Sequence, residues 1–184
     1  MKALVLGDTH IPNRASGIPP KLLKIMTSHR FDVALFTGDL EGKSVMNLLS
    51  PVKTYAVGGN MDHLPLPRVL KLRLAGISIG LIHGNGVHPR GNEGELAAVA
   101  KRMDVKVLIS GHTHRLSVRS IEAEGANLIL LDPGSATGCW GGGPASRIPS
   151  LVTLEMEGNF LLVRTYELIN DELVDRQYTF RVDS

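Results

Sequence analysis

Disulfides are excluded at once, because Cys139 is the only cysteine among 184 residues and no intramolecular bridge can form; a reducing compartment, the cytoplasm, is the expected location. Long apolar runs are also missing. No stretch approaches the roughly 20 residues of a membrane span. Met1-Lys2 leads through the short apolar run 3–6 directly to Asp8, so the apolar core of an export signal is not expected. Nor is there an excess of one charge. Lys+Arg 20 against Asp+Glu 18 leaves a formal charge of +2, with no bulk attraction to nucleic acid or to a membrane surface, so partners must be argued from a site. Glutamine is reduced to Gln177, a bias that suits a thermophile. What the chain does contain is 43% hydrophobic residues at a mean hydropathy of +0.06, enough for a substantial core, and one domain over 1–184 is expected.

Residues 3–6, 33–36, 54–57, 77–82 and 105–109 are short apolar runs of strand type separated by amphipathic stretches. Pro19-Pro20 predicts a helix running to about His29, with Leu22, Leu23 and Met26 on one face. Residues 41–49 predict a second helix. A third is predicted over 93–103, where Leu96, Val99, Ala100 and Met103 share one stripe at helical spacing, as core packing requires. After Arg115 the pattern changes. Residues 116–121, 127–131, 150–156, 160–168 and 173–182 read as strands joined at turn residues such as Glu124-Gly125-Ala126-Asn127, Glu157-Gly158-Asn159 and Asn170-Asp171, and predict mostly antiparallel pairing. Residues 132–149, with five glycines and three prolines, are too irregular for helix or strand and long for a connection. A functional loop and a plain excursion are both open. No repeat, low-complexity tract or linker divides the chain.

Five polar motifs stand where apolar runs end: Gly7-Asp8-Thr9-His10, Gly38-Asp39, Gly58-Gly59-Asn60, His83-Gly84 and Gly111-His112-Thr113-His114. Ligands bind at the carboxyl ends of strands, where loops and helix N-termini converge. Singly, each motif has an ordinary explanation as a turn or a structural hydrogen bond. Jointly and in this order they supply two carboxylates, four imidazoles and one amide oxygen, the donor inventory of a two-metal hydrolytic site. Oxygen and imidazole donors without thiolate suit Mn²⁺, Fe²⁺, Co²⁺, Ni²⁺ or Zn²⁺, with Mn²⁺ the leading expectation.

These motifs resemble the calcineurin-like metallophosphoesterase superfamily, whose signature runs Asp-x-His, Gly-Asp, Gly-Asn, His-Gly and Gly-His-x-His. Within it the chain looks like the small archaeal and bacterial phosphodiesterases. It is closer still to the retromer vacuolar-sorting subunit that keeps this fold as a scaffold, through Leu6-Gly7-Asp8-Thr9-His10-Ile11-Pro12, Gly80-Leu81-Ile82-His83-Gly84, Ile109-Ser110-Gly111-His112-Thr113-His114, Asp132-Pro133-Gly134-Ser135-Ala136-Thr137-Gly138 and Ile148-Pro149-Ser150. The resemblance implies an α/β fold of two packed mixed β-sheets flanked by helices. It also implies one metal on Asp8, His10, Asp39 and His114 and a second on Asp39, Asn60, His83 and His112, bridged by Asp39. Asp39, Asn60 and His83 are expected to carry catalysis.

Two divalent ions outweigh two carboxylates and a bridging hydroxide, so the centre would attract a phosphate ester. Ions about 3.5–4 Å apart lower the pKa of a bridging water and stabilise an in-line displacement. Many relatives place a leaving-group acid directly after the motif asparagine. Here that residue is Met61, with His63 two further on and expected at the surface, so diesters or esters with good leaving groups are the expected substrates. His29 and His88 are expected at the surface as well. Arg90 and Arg115 are open to a phosphate-steering or a solvated role, and Cys139 and Trp140 have an ordinary loop role as the default. The rival expectation is a retromer-like interaction scaffold that keeps the metal site without turnover. In that relative some ligand positions are replaced, whereas all seven stand here. A small-molecule phosphate ester is the expected partner, a homo-oligomer is left open, and neither nucleic acid nor membrane is indicated.

Overall fold

The computed structural model describes residues 1–123 and 126–182; Glu124 and Gly125 of the expected turn lie outside them. Strands β1 (Lys2–Leu6) and β2 (Val33–Phe36) are unbroken apolar runs, and from Ala3 and Val33 onward every residue is buried. Such strands belong between two covered faces. They lie at the middle of a six-stranded sheet with β3 (Lys53–Ala56) on one side and β9 (Ser150–Glu157), β10 (Phe160–Ile169) and β11 (Glu172–Arg181) on the other, in the order β11-β10-β9-β1-β2-β3. A five-stranded sheet combines β4 (Val69–Leu74), β5 (Ile77–Ile82), β6 (Val107–Ile109), β7 (Leu116–Ala123) and β8 (Ala126–Pro133) in the order β4-β5-β6-β8-β7.

The period-two alternation of side chains sorts these residues into layers. From β1, Ala3 and Val5 join Leu35, Ile79, Leu81, Val107, Ile109, Ile129, Val152 and Leu154 between the sheets. Leu4 and Leu6 point the other way, onto Leu22, Ile25 and Met26 of α1 (Pro20–Ser28) and Val45 of α2 (Ser44–Leu48). Leu96 and Ala100 of α3 (Glu93–Arg102) cover Leu108, Leu128 and Leu130 on the outer face of the second sheet. The result is the expected α/β architecture of two packed mixed sheets flanked by helices.

Two details differ from the sequence expectation. Strand β4 was not anticipated, because its alternating Lys71 and Arg73 disguise an edge strand; it pairs antiparallel with β5 through Ala75-Gly76, both at positive φ as tight hairpins require. The second helix spans Ser44–Leu48 instead of 41–49, since Glu41 has φ +60° and its N–H donates to the Asp62 carboxylate. As expected, the C-terminal strands pair mostly antiparallel, within β7–β8 and β9–β10–β11, while β8 also joins β6 in parallel.

Candidate metal centre

Each of the five motifs follows the carboxyl end of a strand: β1, β2 and β3 in the first sheet and β5 and β6 in the second. Because the two sheets pack face to face, their strand ends meet on one edge, and loops distant in sequence converge there. Asp8, His10, Asp39, His112 and His114 all have φ between +47° and +72°. In this left-handed region a non-glycine residue costs roughly 1–2 kcal/mol, and strain of this kind gathers at functional sites. Specific bonds hold it in place. The Asp8 N–H donates to Gly38 O at 2.9 Å, the His10 N–H to Asp39 O at 3.0 Å, and the His112 N–H to Asp8 Oδ2 at 2.9 Å. Gly59 is required here, since a Cβ would lie 2.0 Å from Asp39 Oδ1.

The functional atoms form two clusters about Asp39 Oδ2, which is 3.4 Å from both His10 Nε2 and His83 Nε2. On one side His10 Nε2 lies 3.3 Å from His114 Nε2, which lies 3.5 Å from Asp8 Oδ1. On the other, His83 Nε2 lies 3.1 Å from Asn60 Oδ1 and 3.2 Å from His112 Nδ1. All seven residues anticipated from the sequence are thus brought together. They meet through electron-pair donors. The Nδ1 atoms of His10, His83 and His114 face Glu41 Oε1 at 2.6 Å, Thr37 O at 2.8 Å and Cys139 O at 2.9 Å, acceptors that call for a proton on each outer nitrogen and leave Nε2 facing the centre. The Nε2 atoms of His10 and His114 therefore face each other across the first cluster. Asp8 Oδ1 and Thr37 Oγ1 are the two buried side-chain polar atoms without a partner among the described residues. Of these, Asp8 Oδ1 points at His114, where a cation would satisfy both. The donor set and its spacing fit divalent metal ions, and three groupings of possible ligands occur: Asp8–His10–Asp39, Asp39–His83–His112 and His10–His114–Cys139.

Electrostatics agree with such a site. Burial raises the Asp8 carboxyl well above its ordinary range, more than the His83 charge lowers it. Burial alone would also raise Asp39 and lower His83, but the hydrogen bond and charge between them win, taking Asp39 to about 2 and His83 to about 9. Burial and neighbouring positive charge bring His112 to about 4, and burial dominates in bringing His114 to about 4. These two rings stay neutral and available as donors at neutral pH.

Sequence reasoning missed the residues that aim these ligands. Asp62 accepts from the N–H groups of Asp39, Leu40, Glu41 and Gly59 at 2.8–2.9 Å, tying the loop after β2 to the loop after β3. Asp132 is buried and pushed up to about 7 by burial, and it accepts from the Thr113 hydroxyl at 2.7 Å, between His112 and His114. Met61 meets the site through its backbone, whose N–H donates to Asp39 Oδ1 at 2.8 Å. His29, His63 and His88 are exposed, as expected. Arg90 donates to Gly141 O at 2.7 Å, while Arg115 is exposed. The 132–149 segment is a strap over the centre: Ser135 Oγ donates to Asp8 O at 2.7 Å and Ser146 Oγ to His114 O at 2.9 Å.

This convergence of His and Asp side chains at one edge of two packed mixed sheets makes a candidate centre for divalent metal ions. Residues 1–159 match the calcineurin-like phosphoesterase superfamily domain, and the chain belongs to that superfamily. It is 39% identical over 134 residues to a probable metallophosphoesterase of Methanocaldococcus jannaschii, covering 72% of this chain and 67% of the relative. A Vps29 of Entamoeba histolytica complexed with zinc superposes with a TM-score of 0.88 at 32% identity over 97% of this chain and 99% of its own. Chaetomium thermophilum Vps29 complexed with a cyclic peptide gives a TM-score of 0.83 at 25% identity, over 100% and 98% of the two chains.

Proposed function

We propose that this protein is a divalent-metal-dependent phosphodiesterase. Asp8, His10, Asp39 and His114 would hold one ion and Asp39, Asn60, His83 and His112 the other, with Asp39 Oδ2 shared. The observation that carries this reading is the pair of clusters around that oxygen, in which His10, His83 and His114 turn Nδ1 outward to Glu41, Thr37 and Cys139. Ions so held would lower the pKa of a bound water and polarise phosphoryl oxygens. Mn²⁺ leads the expectation, and the zinc complex of a Vps29 neighbour supports Zn²⁺ as an alternative.

The chain's own residues do the positioning. Asp62 and Met61 fix the Asp39 carboxylate so that Oδ1 is occupied by an N–H and Oδ2 faces the centre. Glu41 and the Cys139 carbonyl set the tautomers of His10 and His114. Asn60 is exposed on the open side, where a substrate oxygen would arrive. With a methionine after Asn60, the leaving group departs without a proton from that position, which favours diesters and good leaving groups. The lone Cys139 supports a cytoplasmic setting.

The test is hydrolysis of bis-p-nitrophenyl phosphate with and without Mn²⁺, with Asp39→Asn alongside. Metal-dependent turnover that the variant lacks is the expected result; no metal dependence, or equal rates, removes the catalytic reading. The second reading is a retromer-like scaffold, favoured by the likeness to a Vps29 that binds a cyclic peptide. Stoichiometric metal without turnover would support it.

A further inference from the structure

We propose that Trp140, whose own carbonyl is held by Arg14 and whose neighbour's carbonyl is held by Arg90, is a stacking platform at the rim of the centre for a planar aromatic arm of the substrate, so that the diester carries a nucleobase on one ester oxygen. This rests on the phosphodiesterase reading and names its substrate class.

Trp140 is the only tryptophan of the chain, and it is 55% exposed. Single exposed apolar residues are common on protein surfaces and need no explanation. What sets Trp140 apart is how its backbone is anchored. Three consecutive carbonyls are each held by a side chain of the centre or its rim: Cys139 O by His114 Nδ1 at 2.9 Å, Trp140 O by Arg14 Nη1 at 3.0 Å and Gly141 O by Arg90 Nη1 at 2.7 Å. Gly141 lies so close to the candidate ligand His114 that a Cβ would stand 2.4 Å from the ring. The indole is therefore carried on backbone that abuts the metal centre, one residue from two contacts with His114. Its following neighbours are Gly141-Gly142-Gly143, which have no side chains to cover the ring.

The surroundings favour a flat heterocycle over an alkyl chain. Arg14 and Arg90 are exposed; Arg14 donates to the Trp140 carbonyl, and Arg90 donates through Nη1 to the carbonyls of Gly141 and His112. A guanidinium has five N–H donors, so both keep donors for phosphate or ribose oxygens beside the indole. A nucleobase presents a π-face to tryptophan and polar edges to arginine and water. A lipid-like arm would require an apolar trough, and glycines and arginines do not make one.

Two esters with the same leaving group separate the arms: thymidine 5′-(p-nitrophenyl phosphate) and methyl p-nitrophenyl phosphate. In the Mn²⁺-loaded protein the kcat/KM preference for the thymidine ester is expected to fall ~10-fold in Trp140→Ala, matching the loss of one base–aromatic stack, and to survive largely in Trp140→Phe. An unchanged preference in Trp140→Ala overturns the platform. Because the protein has one tryptophan, its indole emission reports this residue alone. Adenosine 5′-monophosphate is expected to quench it saturably and ribose 5-phosphate is not; equal responses, or none, also overturn the proposal. If the parent protein hydrolyses neither ester, the phosphodiesterase reading falls, and the emission titration decides the platform by itself.

Discussion

The two ligand clusters share one carboxylate oxygen and differ in their access to water. In the first, Asp8 and His10 have 0% exposure and His114 has 2%, and the strap over residues 132–149 closes it from above. In the second, His83 is buried but His112 is half-buried and Asn60 exposed. Metal sites that only hold an ion are coordinatively closed, and those that act on a substrate keep a position open. One centre therefore combines a closed, rigid half with an open one. In the proposed phosphodiesterase, substrate would arrive on the side of Asn60 and His112.

The shared oxygen should yield the largest effect. Asp39→Asn removes a bridging charge from both halves and is expected to lower hydrolysis of bis-p-nitrophenyl phosphate roughly 10³-fold in saturating Mn²⁺, the rate equivalent of several kcal/mol. The comparison itself breaks if His114→Ala and Asn60→Ala behave alike. Elemental analysis should find that His114→Ala loses the ion of the closed half, while Asn60→Ala keeps that ion and loses occupancy only in the open half.

Asp62→Ala tests the joint between the loops that carry Asp39 and Asn60. Four N–H groups lose a charged acceptor, and denaturant unfolding should report a loss of about 2 kcal/mol. Glu41→Gln should act on the closed half alone, through His10. Metal affinity there is expected to drop about 10-fold, at the low end for an outer partner of a ligand, with the open half unchanged in a competitive chelator titration.

A separate effect is a dependence on pH in the metal-free protein. His83 is raised from 6.5 to about 9 by Asp39 and Asp8 acting against burial, so its charged form favours the fold. That contribution is complete below pH 6.5 and disappears as pH climbs through about 9. Asp39 is lowered from 3.8 to about 2, so its contribution is present above pH 3.8 and disappears on acidification through about 2. Thermal unfolding of the metal-free protein should therefore show the alkaline loss, and His83→Asn should remove it. Metal uptake in the open half must displace the His83 proton, so affinity should grow as pH rises toward about 9.

The strands that place the centre were legible because β1, β2, β5 and β6 are compact apolar runs that end on polar motifs. The seven candidate ligands were legible because their types and order are unusual together. Strand β4 was hidden, since Lys71 and Arg73 belong to an exposed edge and break the apolar run. Glu41 was read into a helix. Its left-handed backbone and its bond to His10 depend on Asp62, which lies 21 residues away, and no local pattern encodes that partner. Cys139 and Trp140 sit in a glycine-rich segment without periodicity, so their contacts with His114 and Arg14 had no signal in the sequence.

The sequence by itself determined the chemistry available to this protein: which donors it has, in what order they follow its strands, and that no acid stands directly after Asn60. Only the tertiary structure decided what those donors do together. Two sheets packing face to face bring loops more than 100 residues apart into contact, as between Asp8 and His112. The same packing buries one half of the centre, leaves the other open, and commits the outward imidazole protons to Glu41, Thr37 and Cys139. Residue type is local, whereas burial, tautomer and access depend on neighbours that only the fold supplies.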